Sequence, residues 1–124
     1  MAKWDVTTEK GREALERFLM RQMGWHYGLD PHSYSPAWFG EIDGKRWVMP
    51  KGWVFGPTGM ITLKRWAVET YAWDVETLVS KDFARAVVLH ADPAYPRQIA
   101  TSNCEQYAVA LALARALEEM EGSK

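Results

Sequence analysis

VFGPTGMITLK, residues 54 to 64, begins like the phosphate-cradling loop of a nucleotide-binding enzyme, and how it is read decides the fold plan. That loop requires G-x-x-x-x-G-K-[ST]: backbone N–H groups surround the phosphates, Lys neutralises them and the hydroxyl holds magnesium. Counted from Gly56, the second glycine falls on Ile61, the lysine on Thr62 and the hydroxyl residue on Leu63. All three defining positions fail. Gly56-Pro57-Thr58-Gly59 is instead a turn, because Pro fixes φ and Gly supplies φ > 0. Thr58 is then placed to cap a helix starting near Met60.

Outward from that turn, a helical reading extends from Met60 to about Val79, although its Trp, Val, Thr and Tyr content also suits a strand. Upstream, Trp53-Val54-Phe55 reads as a short extended piece and Pro50 as the stop of a preceding strand. Residues 38–49, WFGEIDGKRWVM, form a hairpin: two aromatic and β-branched runs flank Asp43-Gly44, the pair favoured by a type I′ turn. Residues 25–37 mix Gly, Pro, Ser and aromatics without period and read as an ordered loop. Before them, Thr7 or Thr8 opens a helix to about Met23, with Leu15, Phe18, Leu19 and Gln22 on one face and Lys10, Glu13, Arg17 and Arg21 opposite. Gly24 ends it.

Downstream, Phe83 to Ala91 reads as a strand bounded by Asp92-Pro93, followed by a turn over 93–96 and a partner strand from Arg97 to Thr101. Ser102-Asn103-Cys104-Glu105 has capping-box spacing. The helix after it, rich in Ala and Leu, runs to about Met120. Val109, Ala110, Leu113, Ala116, Leu117 and Met120 make its buried side, and Arg115, Glu118 and Glu119 its wet side. The expectation is one α+β domain over residues 1–124, a small antiparallel sheet packed with N-terminal, central and C-terminal helices.

Composition agrees with that plan. A chain of 124 residues with 48% hydrophobic and 25% charged residues closes a core as one domain. A single cysteine excludes an internal disulfide framework and suits a reducing, cytoplasmic setting. No apolar h-region follows Met1-Ala2-Lys3-Trp4-Asp5, and the longest uncharged run, Gly52 to Leu63, is too short to span a bilayer. Neither secretion nor membrane insertion is expected. The net charge of −1 exerts no overall pull on nucleic acid, but its distribution is uneven. Between Gly44 and Val68 stand five cations and no acid, interleaved with three of the seven tryptophans.

That basic aromatic segment is the sharpest candidate site: Lys45, Arg46, Trp47, Lys51, Trp53, Phe55, Lys64, Arg65 and Trp66. Trp and Arg dominate protein interfaces, which makes the segment a protein-docking surface. Cations tracking phosphates with rings stacking on bases would make it a single-stranded nucleic-acid site. The plainer alternative buries the tryptophans and leaves the cations as a solvated rim. Other constellations are weaker. Cys104, in the opening turn of the last helix, gains thiolate character there and with His90 offers a nucleophile–base pair for a thiol enzyme. His26, His32, His90 and Cys104, with Asp30 or Asp92, supply metal donors but without recognisable ligand spacing. Glu41 and Asp43 are a carboxylate pair of the kind glycoside hydrolysis needs, although the turn already accounts for Asp43. No cofactor is called for, and a non-enzymatic binding protein is the favoured class.

The order of features also resembles a known group. Met23-Gly24-Trp25 ends the first helix, Asp43-Gly44 turns a Trp-rich hairpin, Gly56-Pro57-Thr58-Gly59 opens the central helix, and Ala100-Thr101-Ser102 introduces an Ala-rich final helix. This layout resembles small phage and prophage accessory proteins, the group that includes the phage ABA-sandwich domain and NinX-type proteins. The chain departs from their pattern at Gly56, where Asn is usual, at Met60-Ile61, where an acid is usual, and at Cys104-Glu105-Gln106. The resemblance implies a helix–sheet–helix arrangement, a phage setting within the host cytoplasm and no established catalytic residues. Inhibition of a bacterial defence system is the specific role it suggests.

Overall fold

In the computed structural model, which describes residues 4–90 and 97–122, the elements in chain order are α1 (Glu9–Gln22), β1 (His26–Leu29), β2 (Pro36–Ile42), β3 (Lys45–Pro50), a 3-10 turn (Trp53–Phe55), α2 (Pro57–Tyr71), β4 (Asp74–Val79), β5 (Ala84–Leu89), β6 (Gln98–Ser102) and α3 (Glu105–Gly122). The fold is α+β. Its strands form two antiparallel three-stranded sheets, β1-β2-β3 and β4-β5-β6, where a single small sheet was expected.

The expected turn over residues 56–59 is instead the start of α2, which begins at Pro57 rather than near Met60, and Thr58 is not the cap. Gly56 is the N-cap, and Pro57 occupies the first turn, where its missing N–H costs nothing and its fixed φ is already helical. Thr58 lies inside α2, its carbonyl accepting from Thr62 Oγ1 at 2.9 Å. The helix buries Gly59, Leu63 and Ala67 at four-residue spacing. A Cβ on Gly59 would overlap the Trp53 carbonyl, so only glycine lets α2 lie this close to the preceding turn. Trp53-Val54-Phe55 is accordingly not extended. Gly52 at φ 87 bends the chain, and Phe55 N–H closes the 3-10 turn on the Gly52 carbonyl at 3.1 Å.

The expected single helix over residues 60–79 is a helix and a strand. α2 ends where Ala72 takes φ 57 and its N–H returns to the Val68 carbonyl. The next residue explains the break. Trp73 is six residues beyond Ala67, about 240° round a helix from the buried stripe. Leaving the helix is what buries it, stacked on Tyr71 at 4.5 Å and edge-on to His90 at 4.8 Å.

The hairpin forms as read, with Asp43 at φ 52 and Gly44 at φ 79, the two left-handed residues a type I′ turn needs. Its register pairs Ile42 with Lys45 and Trp38 with Met49. Within the expected loop 25–37, His26–Leu29 is a strand on the far side of β2, pairing His26 with Phe39 and Leu29 with Pro36. Its side chains are mostly exposed on both faces, so no apolar alternation marked it in the sequence.

β5 and β6 lie near their expected positions, with Ala84 opposite Ser102 and Val88 opposite Gln98. Asp92-Pro93 and the turn at 93–96 lie outside the described residues. Because Ser102 is held in that ladder, the capping box does not form. Ser102 Oγ donates to Asn103 Oδ1 at 3.1 Å, and Glu105 Oε1 accepts from Thr77 Oγ1 on β4. α3 is the centre of the core. Every residue from Ala108 to Leu117 is buried except Arg115, and Met120 is half-buried. A helix apolar nearly all round belongs inside a protein. It packs on β5 and β6, whose Ala84, Ala86 and Ala100 present only methyls, and it also touches α1, α2 and the 3-10 turn.

α1 is capped by Thr8, whose Oγ1 accepts from Gly11 N–H at 3.0 Å. Its buried face is Leu15, Glu16, Leu19 and Met20. Phe18 and Gln22, expected there, flank it. Phe18 tilts against Trp4, and Gln22 Nε2 donates to Glu121 Oε1. Among the described residues no helix is long and apolar enough to cross a membrane.

The β1-β2-β3 sheet is fastened by two indoles. Trp38 is buried against α1, and Trp25 lies flat over Gly40 and beside Trp53 at 5.3 Å. A Cβ at position 40 would intrude into the Trp25 ring. Gly40→Ala is therefore expected to cost about 1–3 kcal/mol through overpacking, read as a lower denaturant midpoint at unchanged slope.

Candidate functional site

β3 exposes five of its six residues, Met49 being the exception. Trp47 at 46% and Val48 at 48% are neighbours on an edge strand, so exposed apolar surface appears on both of its faces. A groove of about 630 Å³ runs beside them, lined by Met23, Gly24, His26, Phe39, Gly40, Glu41, Arg46, Trp47 and Val48. A smaller cleft of about 110 Å³ lies between the hairpin turn and α2, where Arg65, Trp66, Thr62 and Glu69 meet Glu41, Ile42 and Asp43. The two share Met23 and Glu41, which makes them one continuous surface at the hairpin end.

Five of the nine expected binding residues fall on or beside this surface. Arg46 and Trp47 line the groove, Arg65 and Trp66 line the cleft, and Lys45 starts β3 opposite Ile42. Trp66 is half-buried, its ring edge-on to Tyr71 at 5.5 Å. The other four are elsewhere. Trp53 packs into the core on Trp25. Phe55 meets Tyr107 of α3 edge-on at 5.1 Å, and Lys64 is half-buried on α2. Lys51 is held by α1, with Nζ donating to Glu13 and lying 3.9 Å from Glu9. The hydrogen bond with Glu13 raises Lys51 above the usual lysine range and lowers Glu13 below the usual carboxyl range. A lysine so engaged does not join a phosphate track. At the hairpin end the three cations Lys45, Arg46 and Arg65 stand among the three acids Glu41, Asp43 and Glu69. The basic run of the sequence is not a basic patch in space.

The remaining constellations separate in a similar way. Ser102, two residues before Cys104, pairs with Ala84 at one end of β5, while His90 follows Leu89 at the other. Six residues at the strand rise put roughly 20 Å between those ends, so no Cys104–His90 pair forms. Glu41 and Asp43 both line the smaller cleft, whose volume falls short of the several hundred Å³ that enclose a sugar-sized ligand. Among the described residues no three His, Cys, Asp or Glu side chains gather as metal ligands.

One residue was not anticipated at all. Glu16 of α1 is a carboxylate only 3% exposed. Its Oε1 accepts from the Trp38 indole N–H at 3.1 Å and its Oε2 from the Gly52 N–H at 2.6 Å. Burial pushes its pKa above the ordinary carboxyl value, and the two hydrogen bonds only partly offset that. Glu16 positions the hairpin indirectly, by holding β2 and the β3–3-10 connection to α1. The one sequence signal for it is its spacing, one residue after Leu15 and four before Met20, on the buried stripe.

Glu16→Ala leaves the buried Trp38 N–H and the part-buried Gly52 N–H without their acceptor and is expected to cost about 1–3 kcal/mol at neutral pH. A native pKa raised above the unfolded one means that the folded chain binds this proton more readily. The group's contribution to stability is then full below the unfolded value and is lost as pH rises through the native value. The wild-type chain should lose stability relative to Glu16→Gln as pH rises from the ordinary carboxyl range upward, as read by denaturation at a series of pH values.

In comparisons with protein-family models, with curated proteins and with solved structures, nothing matches this chain.

Proposed function

We propose that this chain is a non-enzymatic binding protein that docks another protein through its hairpin end, in the manner of a small phage or prophage accessory protein. The observation that supports a docking role is Trp47: an indole left half in water on an edge strand, beside Val48 and Arg46, over a groove of about 630 Å³. Trp and Arg are the side chains that carry most interface energy. The alternation of three cations with three acids around it favours a protein over a polyanion, which would meet repulsion at every second contact. The phage setting, and inhibition of a bacterial defence system as its specific form, rest on the short sequence motifs at Met23-Gly24-Trp25 and Gly56-Pro57-Thr58-Gly59.

The test is affinity capture from bacterial lysate with the wild-type chain and an Arg46→Ala/Trp47→Ala pair run side by side. A stoichiometric protein held by the first and lost by the second, with at least a tenfold drop in affinity on remeasurement (about 1.4 kcal/mol), is the expected result. Equal capture by both chains, or no stoichiometric protein at all, overturns the reading. A salt titration separates the single-stranded nucleic-acid alternative, since phosphate-driven affinity falls steeply with ionic strength while indole docking changes little.

A further inference from the structure

β3 has one side bonded to β2 and one side open, and the hairpin turn fixes which backbone groups lie on each. A two-residue type I′ turn closes on a hydrogen-bonded pair, here Ile42 and Lys45. Bonded and non-bonded pairs then alternate along the antiparallel ladder. Lys45, Trp47 and Met49 therefore bond to β2, while Arg46, Val48 and Pro50 turn their backbone groups away from it. Pro50 fits that assignment, because a residue without an N–H is tolerated where no ladder bond needs one. Among the described residues no hydrogen bond from elsewhere in the chain reaches the N–H or C=O of Arg46 or Val48. Two residues, each with one donor and one acceptor, stand open to an added strand, and Pro50 ends the run of donors.

We propose that this margin takes a short, extended, acidic segment of the partner protein as a fourth strand, antiparallel to β3. The proposal rests on docking at the hairpin end and gives the form of what docks there. The side chains of β3 specify the guest, because directly opposed residues share a sheet face. Trp47 and Val48, exposed on opposite faces, favour β-branched residues across from them. The charges of β3 are Lys45 and Arg46, with no acid, and among the described residues neither is held in an ion pair, in contrast to Lys51. Opposite charges stabilise a cross-strand pair, so acids belong opposite both. Arg46 already faces Glu41 on β2, and a guest acid completes an acid–cation–acid row. In its own N-to-C direction the guest is thus two β-branched residues followed by two acids. A second copy fits less well, since two β3 strands side by side would join four cations and no acid. The other margins lack this combination. β1 has only four residues, β4 carries Asp74 and Glu76, and on β6 the Ile99 carbonyl already accepts from Arg115.

The probe is a blocked peptide, acetyl-Thr-Val-Ile-Glu-Glu-amide, added to the full chain up to about 1 mM while the backbone amides are followed by NMR. The Arg46 and Val48 amides should shift saturably and exchange their hydrogens more slowly, because those are the donors the guest engages. N-methylation of the peptide at its Val and its first Glu, the residues opposite Val48 and Arg46, should weaken binding at least tenfold. Replacing both Glu by Lys should do the same. Arg46→Glu should reverse that charge preference; if the acid it sets against Glu41 costs the hairpin its fold, Lys45→Glu, opposite Ile42, reads the same preference. No saturation at that concentration, equal affinity for the methylated peptide, or indifference to charge overturns the proposal. Concentration-dependent protection of the same two amides in the chain alone also overturns it, and gives the margin to a second copy. Lysate capture with the Arg46→Ala/Trp47→Ala pair reads docking separately. A partner held there while the peptide is inert removes strand addition and leaves docking at the hairpin end in place.

Discussion

The carboxylate of Glu16 is the joint on which the arrangement of this molecule turns. Removing a carboxylate from water is costly unless donors meet it, and here both donors come from segments distant in sequence, the Trp38 ring and the Gly52 backbone. One side chain of α1 therefore fixes the middle of β2 and the exit from β3 together. Trp38 supplies the polar link through its N–H and the apolar link through its ring, which also tilts against Tyr27 at 4.8 Å. The β1-β2-β3 sheet needs such a joint because its large buried anchors are few, chiefly Trp25 and Trp38. With the central strand and the exit from β3 held this way, the middle of β3 carries Trp47 and Val48 outward.

The allocation of indoles follows from the composition of α3. A central helix lined with Ala, facing a sheet whose inner residues are Ala84, Ala86 and Ala100, brings backbones close together but supplies little volume. Bulk must come from the surrounding layers. Trp4, Trp25, Trp38 and Trp73 are buried there, while Trp53 and Trp66 are half-buried against the same cluster. The abundance of tryptophan in the sequence is thus mostly a packing requirement. Trp47 is the exposed exception.

Elements whose signals are local were readable from the sequence: the Thr8-capped α1, the Asp43-Gly44 hairpin, the β5–β6 pair and the Ala-rich α3. What escaped was set by tertiary contacts. β1 is an edge strand without apolar alternation, and α2 stops because Trp73 has a place in the core that a continuing helix would deny it. Ser102 was lost as a cap because the sheet took its backbone first. The candidate surface was half legible for a related reason. Residues 45–66 are contiguous in sequence, but strand alternation, a 3-10 turn and a helix distribute them over three directions. Lys51 faces α1, Trp53 and Phe55 turn inward, and only the two ends of the run, residues 45–47 and 65–66, come back together. Glu16 was hard to read because its spacing from Leu15 and Met20 puts it on the buried stripe while its charge argues for the solvent side.

The burial of α3 also governs how the chain must come into being. Both the β4-β5-β6 sheet and the α1–α2 layer close onto that helix, and it follows all of them in sequence. During vectorial synthesis at some 5–20 residues per second, the ribosome delivers every other element before the one they enclose. For those seconds the Ala-lined sheet face and the indoles around it have nothing to cover them. The two layers therefore close only once α3, which follows them in sequence, has left the exit tunnel.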